Sequence, residues 1–177
     1  MPSAAGRKLL ITGAPGVGKT TLIRRLVRQL DKVRCAGFFT AEIREAGVRK
    51  GFTLVSLDGQ KEMLAHVEID SPYRVGRYGV DVRGFDRFLD AIDFGHGDAD
   101  VVIVDEIGKM EIFSKKFLHR LDAVFTSRQQ LVATISSKGP EVIQRFKKRR
   151  DVNCFEVTRS NRDRLAGEIG QSLSTPC

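Results

Sequence analysis

A lysine and a threonine stand together near the start of the chain, Lys19 and Thr20, at the end of a glycine-rich segment. Residues 13–20 read GAPGVGKT and match the pattern G-x-x-x-x-G-K-[ST] at every position. Glycines let main-chain N–H groups face an anion, and a helix that opens at the lysine points its positive end at the same place. In such a loop the lysine reaches the β- and γ-phosphates, and the hydroxyl ligates Mg2+. These residue types at this spacing predict binding of a nucleoside triphosphate with magnesium.

The setting of this segment supports the prediction. An apolar run, residues 8–12, enters it, and a helix-like run, residues 21–27, leaves it. Strand, loop and helix in this order are what a phosphate-binding loop requires. The alternative is a glycine-rich turn that happens to precede a helix. The residues of this segment predicted to bind the nucleotide are Gly13, Ala14, Pro15, Gly16, Val17, Gly18, Lys19, Thr20 and Thr21.

Two adjacent acids, Asp105 and Glu106, directly follow another short apolar run. Ligands of open α/β sheets bind at the carboxyl ends of the strands. We predict that both acids contact the nucleotide site and that Asp105 holds Mg2+ together with Thr20, partly through water. Glu106 is predicted to align a water and accept its proton, while Lys19 stabilises the developing charge. Alternatively, Glu106 caps the next helix or pairs with Lys109.

The acid pair also bears on the type of reaction. A kinase that must keep ATP for another acceptor has little use for a base that activates water, so the pair favours a hydrolase. A nucleoside or nucleotide kinase remains one rival function. A nucleic-acid-binding module switched by the nucleotide is the other.

Short β-rich runs alternate with helical ones along the chain, and this alternation indicates βαβ units with a buried parallel sheet. Region 34–68 differs, because two extended runs flank the residues Glu45-Ala46-Gly47-Val48, with glycine in the turn, and a second turn follows at Asp58-Gly59. This pattern predicts an antiparallel hairpin. The predicted elements are strand 7–12, helix 19–31, strands 34–43, 49–57 and 62–68, a looped stretch to about 83, helix 84–94, strand 100–105, helix 114–127, strand 131–135, helix 141–148, strand 152–157 and helix 161–173.

The predicted fold is a three-layer α/β/α domain with a mainly parallel sheet and an antiparallel hairpin extension. Its 177 residues suit one domain, residues 1–177, and 41% hydrophobic with 29% charged residues are globular values. No apolar run approaches the roughly 20 residues that span a bilayer, and the first seven residues do not resemble a signal peptide. An odd number of cysteines without metal-like spacing, at positions 35, 154 and 177, predicts a reduced, intracellular protein.

Net charge is +8, and residues 145–150 hold five basic side chains in six. Three interpretations of this cluster remain open: a solvated helix end and loop, a basic lid near the triphosphate, and a patch that binds duplex nucleic acid. Nucleic acid is therefore a possible but not a favoured partner, and no obligate protein partner is inferred. His66, His96 and His119 lack the spacing of metal ligands.

Several blocks resemble the nucleoside-triphosphatase family first described from hyperthermophiles, whose vertebrate member is the cancer-related nucleoside-triphosphatase. The resemblance covers nearly the whole chain. The phosphate loop is shared with many other proteins, whereas the hairpin and the second acidic block are more specific. The blocks that carry it are 12–22, 37–44 with Gly47, Arg49, Gly51 and Phe52, 74–81, the stretch DEIGKME at 105–111, and Val157, Thr158, Asn161 and Arg162.

This resemblance implies a RecA-like P-loop fold and magnesium-dependent hydrolysis of nucleoside triphosphates to the diphosphate and phosphate. It also implies broad base tolerance, with ATP, GTP, CTP and UTP as substrates, and slow turnover. The segment 136–140 is shorter than in the vertebrate member, so no contact of that loop is carried over.

Other family positions have open roles. Lys109 stabilises charge near the γ-phosphate or pairs with a neighbouring acid. Asn161, after the last core strand, contacts the base or ribose or is the N-cap of the final helix. Phe38 and Phe39 face opposite sides of a regular strand, so one of them is a candidate to stack on a base. The candidates for a charge-stabilising arginine are Arg44, Arg49, Arg77 and Arg149.

Overall fold

The computed structural model describes residues 6–92, 94–95 and 97–174. His96, Cys177 and part of the predicted helix 84–94 lie outside the described residues. The described elements are β1 (Lys8–Thr12), α1 (Lys19–Gln29), β2 (Cys35–Glu45), β3 (Val48–Ser56), β4 (Lys61–His66), β5 (Arg74–Val75), β6 (Tyr78–Val80), α2 (Val82–Ala91), β7 (Val101–Ile107), α3 (Lys115–Thr126), β8 (Gln130–Ile135), α4 (Glu141–Lys147), β9 (Val152–Glu156) and α5 (Arg162–Ser174), with a short 3-10 turn at Glu111–Phe113.

Within the described residues, all nine strands form one sheet in the order β5-β6-β4-β3-β2-β7-β8-β1-β9. Strands β2, β7, β8, β1 and β9 run parallel, whereas β3, β4, β6 and β5 continue the sheet in antiparallel fashion. The predicted α/β fold with a mainly parallel core and an antiparallel extension is thereby confirmed.

Strand β2 belongs to both halves of the sheet, which the sequence analysis did not anticipate. Its first part, Cys35 to Phe39, pairs in parallel with β7, and from Phe38 onward it pairs with β3. The predicted turn holds, since Ala46 and Gly47 both have positive φ (46° and 78°) and these left-handed residues close the two-residue hairpin. The hairpin therefore extends past the carboxyl end of the parallel core.

Several element boundaries differ from the prediction, and the differences around α2 and at the end of β7 bear on the site. The stretch expected to be looped up to residue 83 contains β5 and β6. Helix α2 already begins at Val82, where the Asp81 carboxylate accepts a hydrogen bond from Gly84 N at 2.8 Å. Strands of two and three residues are too short to show a periodicity. Strand β7 runs on to Ile107, two residues past the predicted end at 105. Both Asp105 and Glu106 therefore lie within the strand.

The helices cover the sheet on both faces and complete the three layers. One apolar cluster joins the sheet to α2, α3 and α4, and the other joins it to α1 and α5. Phe38 lies in the first cluster and Phe39 against the second, so the two rings do face opposite sides. Phe38 is fully buried among Phe85, Phe88, Phe94 and Phe117, and its ring is not available to a nucleobase.

None of the helices in the described part of the chain combines the length and apolar character that crossing a membrane requires.

Candidate active site

The glycine-rich loop connects β1 to α1 at the carboxyl edge of the sheet. Gly16 and Gly18 have φ of 73° and 107°, in the left-handed region that favours glycine. Val17 is buried against the α1–α5 side and anchors the loop, whereas Ala14, Pro15 and Gly16 are exposed. The N-cap of α1 is Gly18, and no side chain caps that end, so the first N–H groups of the helix stay open to an anion.

Lys19 bends back over this loop. Its Nζ donates to the carbonyl oxygens of Gly13 at 2.9 Å and Ala14 at 3.2 Å. An ammonium group has three N–H donors, so these contacts aim the positive charge along the loop and leave one donor for a ligand. The lysine thus sits where its charge faces whatever the loop encloses.

Asp105 lies at the centre of a set of hydroxyl donors. Thr20 Oγ1 donates to its Oδ2 at 2.7 Å, and Thr134 Oγ1 donates to its Oδ1 at 2.6 Å. Thr40 Oγ1 donates to the Asp105 main-chain oxygen at 2.6 Å. The carboxyl is 2% exposed, and burial raises its pKa although the two hydroxyls and nearby cations oppose the rise. The structure therefore brings the predicted pair, Thr20 and Asp105, into direct contact.

The Glu106 side chain, like that of Asp105, contacts a hydroxyl of the β8 segment. Opposite Thr134 the pairing of β7 with β8 shifts by one residue, between Val104 and Ile107, and the peptide bond between the two acids is cis. Consecutive side chains of a regular strand point to opposite faces, whereas here both acids meet hydroxyls of the β8 segment. Ser136 Oγ donates to Glu106 Oε1 at 2.5 Å, and the Glu106 side chain is half-buried.

A third acid, Glu111, lies behind this pair. A Cβ placed on Gly108 would stand 2.9 Å from Glu111 Oε2 and 3.5 Å from both Glu106 Oε1 and Ser136 Oγ, so these groups converge on the bare glycine. Glu111 is 5% exposed. Burial, together with the charge of Glu106, raises the pKa of Glu111 to about 8, and backbone hydrogen bonds at Gly108 and Glu111 oppose the rise. Burial thus favours the neutral form of the Glu111 carboxyl.

The residues after β9 lie beside the phosphate loop. Asn161 Oδ1 accepts from Thr158 N at 2.8 Å and its Nδ2 donates to Glu156 O at 2.9 Å. Asn161 directly precedes α5, and its main-chain carbonyl accepts the first helical hydrogen bond, from Leu165 N at 2.9 Å, so it occupies the N-cap position. Its side-chain amide binds the preceding turn. Arg162 Nη1 lies 3.2 Å from the Cβ position of Gly18, which places an exposed cation against the loop. Contact of Asn161 with a nucleotide stays a prediction.

Lys109 is exposed and, within the residues that the structure describes, forms no ion pair with either neighbouring acid. The arginine candidates all have local partners. Arg44 and Arg49 pair with Glu42, and Arg77 donates to the Arg49 carbonyl. Arg149 pairs with Asp151 at 2.7 Å and lies over the Phe125 ring, and the other partnered residues of the basic cluster are Arg145, bound to Asp122, and Lys147, bound to the Ser137 carbonyl.

Three of the five cations of the basic cluster, Arg145, Lys147 and Arg149, therefore have partners within the described chain, and the role of the cluster stays a prediction. The cluster borders a surface depression of about 600 Å³ that is lined by residues of α4 and the turn after it. Phosphate-loop residues do not line that depression. It is therefore distinct from the site formed by the loop and the acid pair.

The hydroxyl residues that contact the two acids, Thr40, Thr134 and Ser136, were not predicted from the sequence. The burial of Glu111 beside them was not predicted either. One signal was available. Thr134 and Ser136 come at the end of an apolar run, as the acids do, and parallel strands bring such ends together. Which strands are neighbours cannot be read from that signal.

The chain is similar to known proteins over almost all of its length. The NTPase family profile matches residues 8–170. A nucleoside-triphosphatase THEP1 from a Thermotoga species is 42% identical over 163 residues, which is 92% of each chain. The nucleoside-triphosphatase THEP1 of Archaeoglobus fulgidus is 42% identical over 169 residues, 94% of this chain and 98% of that protein.

Solved structures agree with these sequences. The crystal structure of THEP1 from the hyperthermophile Aquifex aeolicus matches 95% of this chain and 99% of its own with a TM-score of 0.86 at 34% identity. The solution structure of a human cancer-related nucleoside triphosphatase matches 96% of this chain and 98% of its own with a TM-score of 0.77, also at 34% identity. On this evidence from sequence and fold, the chain belongs to the NTPase family.

Proposed function

We propose that this protein hydrolyses nucleoside 5'-triphosphates to the diphosphate and phosphate, with Mg2+ as cofactor and with tolerance for ATP, GTP, CTP and UTP. The observation that carries the proposal is the contact of Thr20 with Asp105 at 2.7 Å beside the glycine-rich loop. It joins the hydroxyl of the loop to the acid of β7, and these two groups share a metal in P-loop hydrolases. The names of the relatives, nucleoside-triphosphatase, point the same way. We propose that the chain acts as a single catalytic domain.

The oxygen donors at this place suit magnesium. Mg2+ prefers oxygen ligands, keeps several waters and takes one or two protein groups plus phosphates. Thr20 Oγ1 and Asp105 Oδ2 form such a pair, and the buried carboxylate gains from a nearby cation because burial disfavours its charge. When bound, Mg2+ would neutralise charge on the β- and γ-phosphates. Thr134 and Thr40 hold Asp105 in place for it.

The loop and Lys19 bind the triphosphate. Main-chain N–H groups of residues 13–20 and the open N-terminus of α1 face the phosphates. Lys19, already aimed along the loop by two carbonyl contacts, neutralises charge that builds up as the γ-phosphoryl group leaves. Little covalent chemistry is asked of the protein in phosphoryl transfer, so positioning and charge are enough.

Glu106 supplies the step that makes the reaction a hydrolysis. It directly follows Asp105 and is half-buried, so one carboxylate oxygen can meet a water next to the γ-phosphate. It orients this water and takes its proton as the oxygen attacks phosphorus. A kinase would place a second substrate there instead.

The test is phosphate release from each of the four nucleotides with Mg2+ and without an acceptor. Wild type is compared with Glu106→Gln, and with Glu141→Gln as the matched control at an exposed glutamate of α4. We expect release from all four, a loss of about 100-fold in kcat for Glu106→Gln, and unchanged release for the control. Tight nucleotide binding without release would refute hydrolysis and favour a kinase. Unchanged release in Glu106→Gln would refute the base assignment.

A further inference from the structure

We propose that Ser136 is the positioning residue of the catalytic base: its hydroxyl fixes one oxygen of Glu106 and leaves the other for the attacking water. The inference rests on the proposed role of Glu106 and assigns a function to a residue in a loop to which no role has been given. Ser136 itself does not touch the substrate in this scheme. It acts through the carboxylate.

The Ser136 hydroxyl contacts the Glu106 carboxylate directly. Ser136 Oγ donates to Glu106 Oε1 at 2.5 Å, which is at the short end for a hydroxyl bound to a carboxylate. In the described part of the chain Oε2 of Glu106 receives no hydrogen bond. A glutamate has three rotatable side-chain bonds, and a base must hold its proton-accepting oxygen within hydrogen-bond reach of the water. One tethered oxygen removes most of that freedom and makes Oε2 the accepting atom.

The main chain of Ser136 is itself held in place. It directly follows β8, and its main-chain N donates to the Ile107 carbonyl at 3.2 Å. This bond ties the serine backbone to the end of β7, the strand that carries Glu106. A main-chain hydrogen bond therefore joins the two segments that carry Ser136 and Glu106. The side-chain contact between them does not depend on a loop that is otherwise unattached.

The hydroxyls at the end of β8 contact the two acids separately. Thr134 holds Asp105, and Ser136, two residues further, holds Glu106. The one-residue shift in pairing between β7 and β8 allows two consecutive acids to meet hydroxyls of one segment. The contact packs against Gly108, since a Cβ at that position would stand 3.5 Å from both Glu106 Oε1 and Ser136 Oγ.

The experiment compares wild type with Ser136→Ala and Ser136→Thr, with Ser137→Ala as control. Ser137 is the exposed next residue, and its own contact with Lys147 uses the main-chain carbonyl, so the control removes a hydroxyl without removing that contact. For Ser136→Ala we expect kcat to fall about tenfold, with KM and the affinity for a fluorescent nucleotide analogue unchanged within about twofold. Threonine keeps the hydroxyl and should restore most of kcat.

A double-variant cycle separates positioning from a purely structural role. If Ser136 acts through Glu106, then Ser136→Ala should cost nothing further in the Glu106→Gln background. The same loss in both backgrounds would overturn the proposal, and so would an unchanged or raised kcat in Ser136→Ala alone. Failure of the proposed function is distinguishable, because in that case the wild type itself binds nucleotide without releasing phosphate. Failure of the base assignment is distinguishable too, because phosphate release then stays intact in Glu106→Gln.

Discussion

Thr20 of α1 donates to Asp105 of β7 at 2.7 Å, although 85 positions separate them in the chain. The contact joins the two halves of the proposed site, the loop that holds phosphates and the strand end that holds acids. It exists because β7 lies two strands away from β1, with β8 between them. The hydroxyl therefore reaches across β8, whose own Thr134 binds the other carboxylate oxygen.

Lys19→Ala should abolish most nucleotide binding and turnover, because it deletes the charge that two carbonyl contacts aim along the loop. We expect kcat/KM to fall by about 100-fold or more. Steady-state phosphate release and titration with a fluorescent nucleotide measure both effects. Lys32→Ala, at an exposed lysine after α1, is the control and should behave as wild type. Equal loss in the two variants would argue against a specific role for Lys19.

Thr134→Val should weaken magnesium binding more than nucleotide binding. The valine keeps the shape but removes a hydrogen bond to a carboxylate that is 2% exposed, and an unsatisfied buried acceptor costs about 1–3 kcal/mol. We expect the Mg2+ concentration for half-maximal turnover to rise by about tenfold or more. Thr126→Val is the control, since its hydroxyl contacts carbonyls of its own helix. An unchanged Mg2+ requirement would contradict the role assigned to Thr134.

Glu111→Gln should flatten the dependence of stability on pH. Burial raises the pKa of Glu111 in the folded chain to about 8, whereas the ordinary value of 4.5 applies to the unfolded chain. Between these values the folded state binds more protons than the unfolded state, so this group lowers the free energy of unfolding as pH rises, by at most about 1.4 kcal/mol per pH unit. Above pH 8 both states are ionised and the loss levels off. Glutamine cannot ionise and lacks this loss.

Urea unfolding at pH 5, 6, 7 and 8 checks the Glu111 prediction. The gap in unfolding free energy between Glu111→Gln and wild type should move in favour of the variant as pH rises. Glu45→Gln, at an exposed glutamate of the hairpin, should run parallel to wild type. If Glu111→Gln also runs parallel, then Glu111 is already ionised in the folded protein at pH 5.

Gly108→Ala should lower both stability and turnover. The added methyl would stand 2.9 Å from Glu111 Oε2 and 3.5 Å from Glu106 Oε1, and a buried acid cannot move aside into water. Overpacking of this kind costs about 1–3 kcal/mol. Gly167→Ala, in the open middle of α5 with no neighbour within 4 Å of the new methyl, is the matched control and should stabilise by up to about 1 kcal/mol. Thermal unfolding measures the stability of both variants, and steady-state phosphate release measures their kcat. Unchanged stability and kcat in Gly108→Ala would mean that the acids have room to move.

Much of the site could be predicted from local sequence. The complete loop pattern identified residues 13–20, and an apolar run placed Asp105 and Glu106 at a strand end. The Ala46-Gly47 turn located the hairpin, and its two positive φ angles are present. Each of these features is decided within a few residues, by glycine freedom, by hydrophobic run length or by turn chemistry. The very short strands β5 and β6 were missed because they are too short to carry a period.

The surroundings of the acids were decided only by the tertiary structure. Thr134 and Ser136 lie 29 and 30 positions from the acids that they hold, and their role depends on β8 being the neighbour of β7. Packing between distant segments produces the one-residue shift that lets both acids face β8. It also produces the burial that raises the pKa of Glu111. Local propensity and periodicity carry no information on strand order, register shifts or desolvation, since these depend on which segments meet. The sequence by itself thus determined the chemical groups and their places at strand and helix ends, and the tertiary structure determined which of them touch.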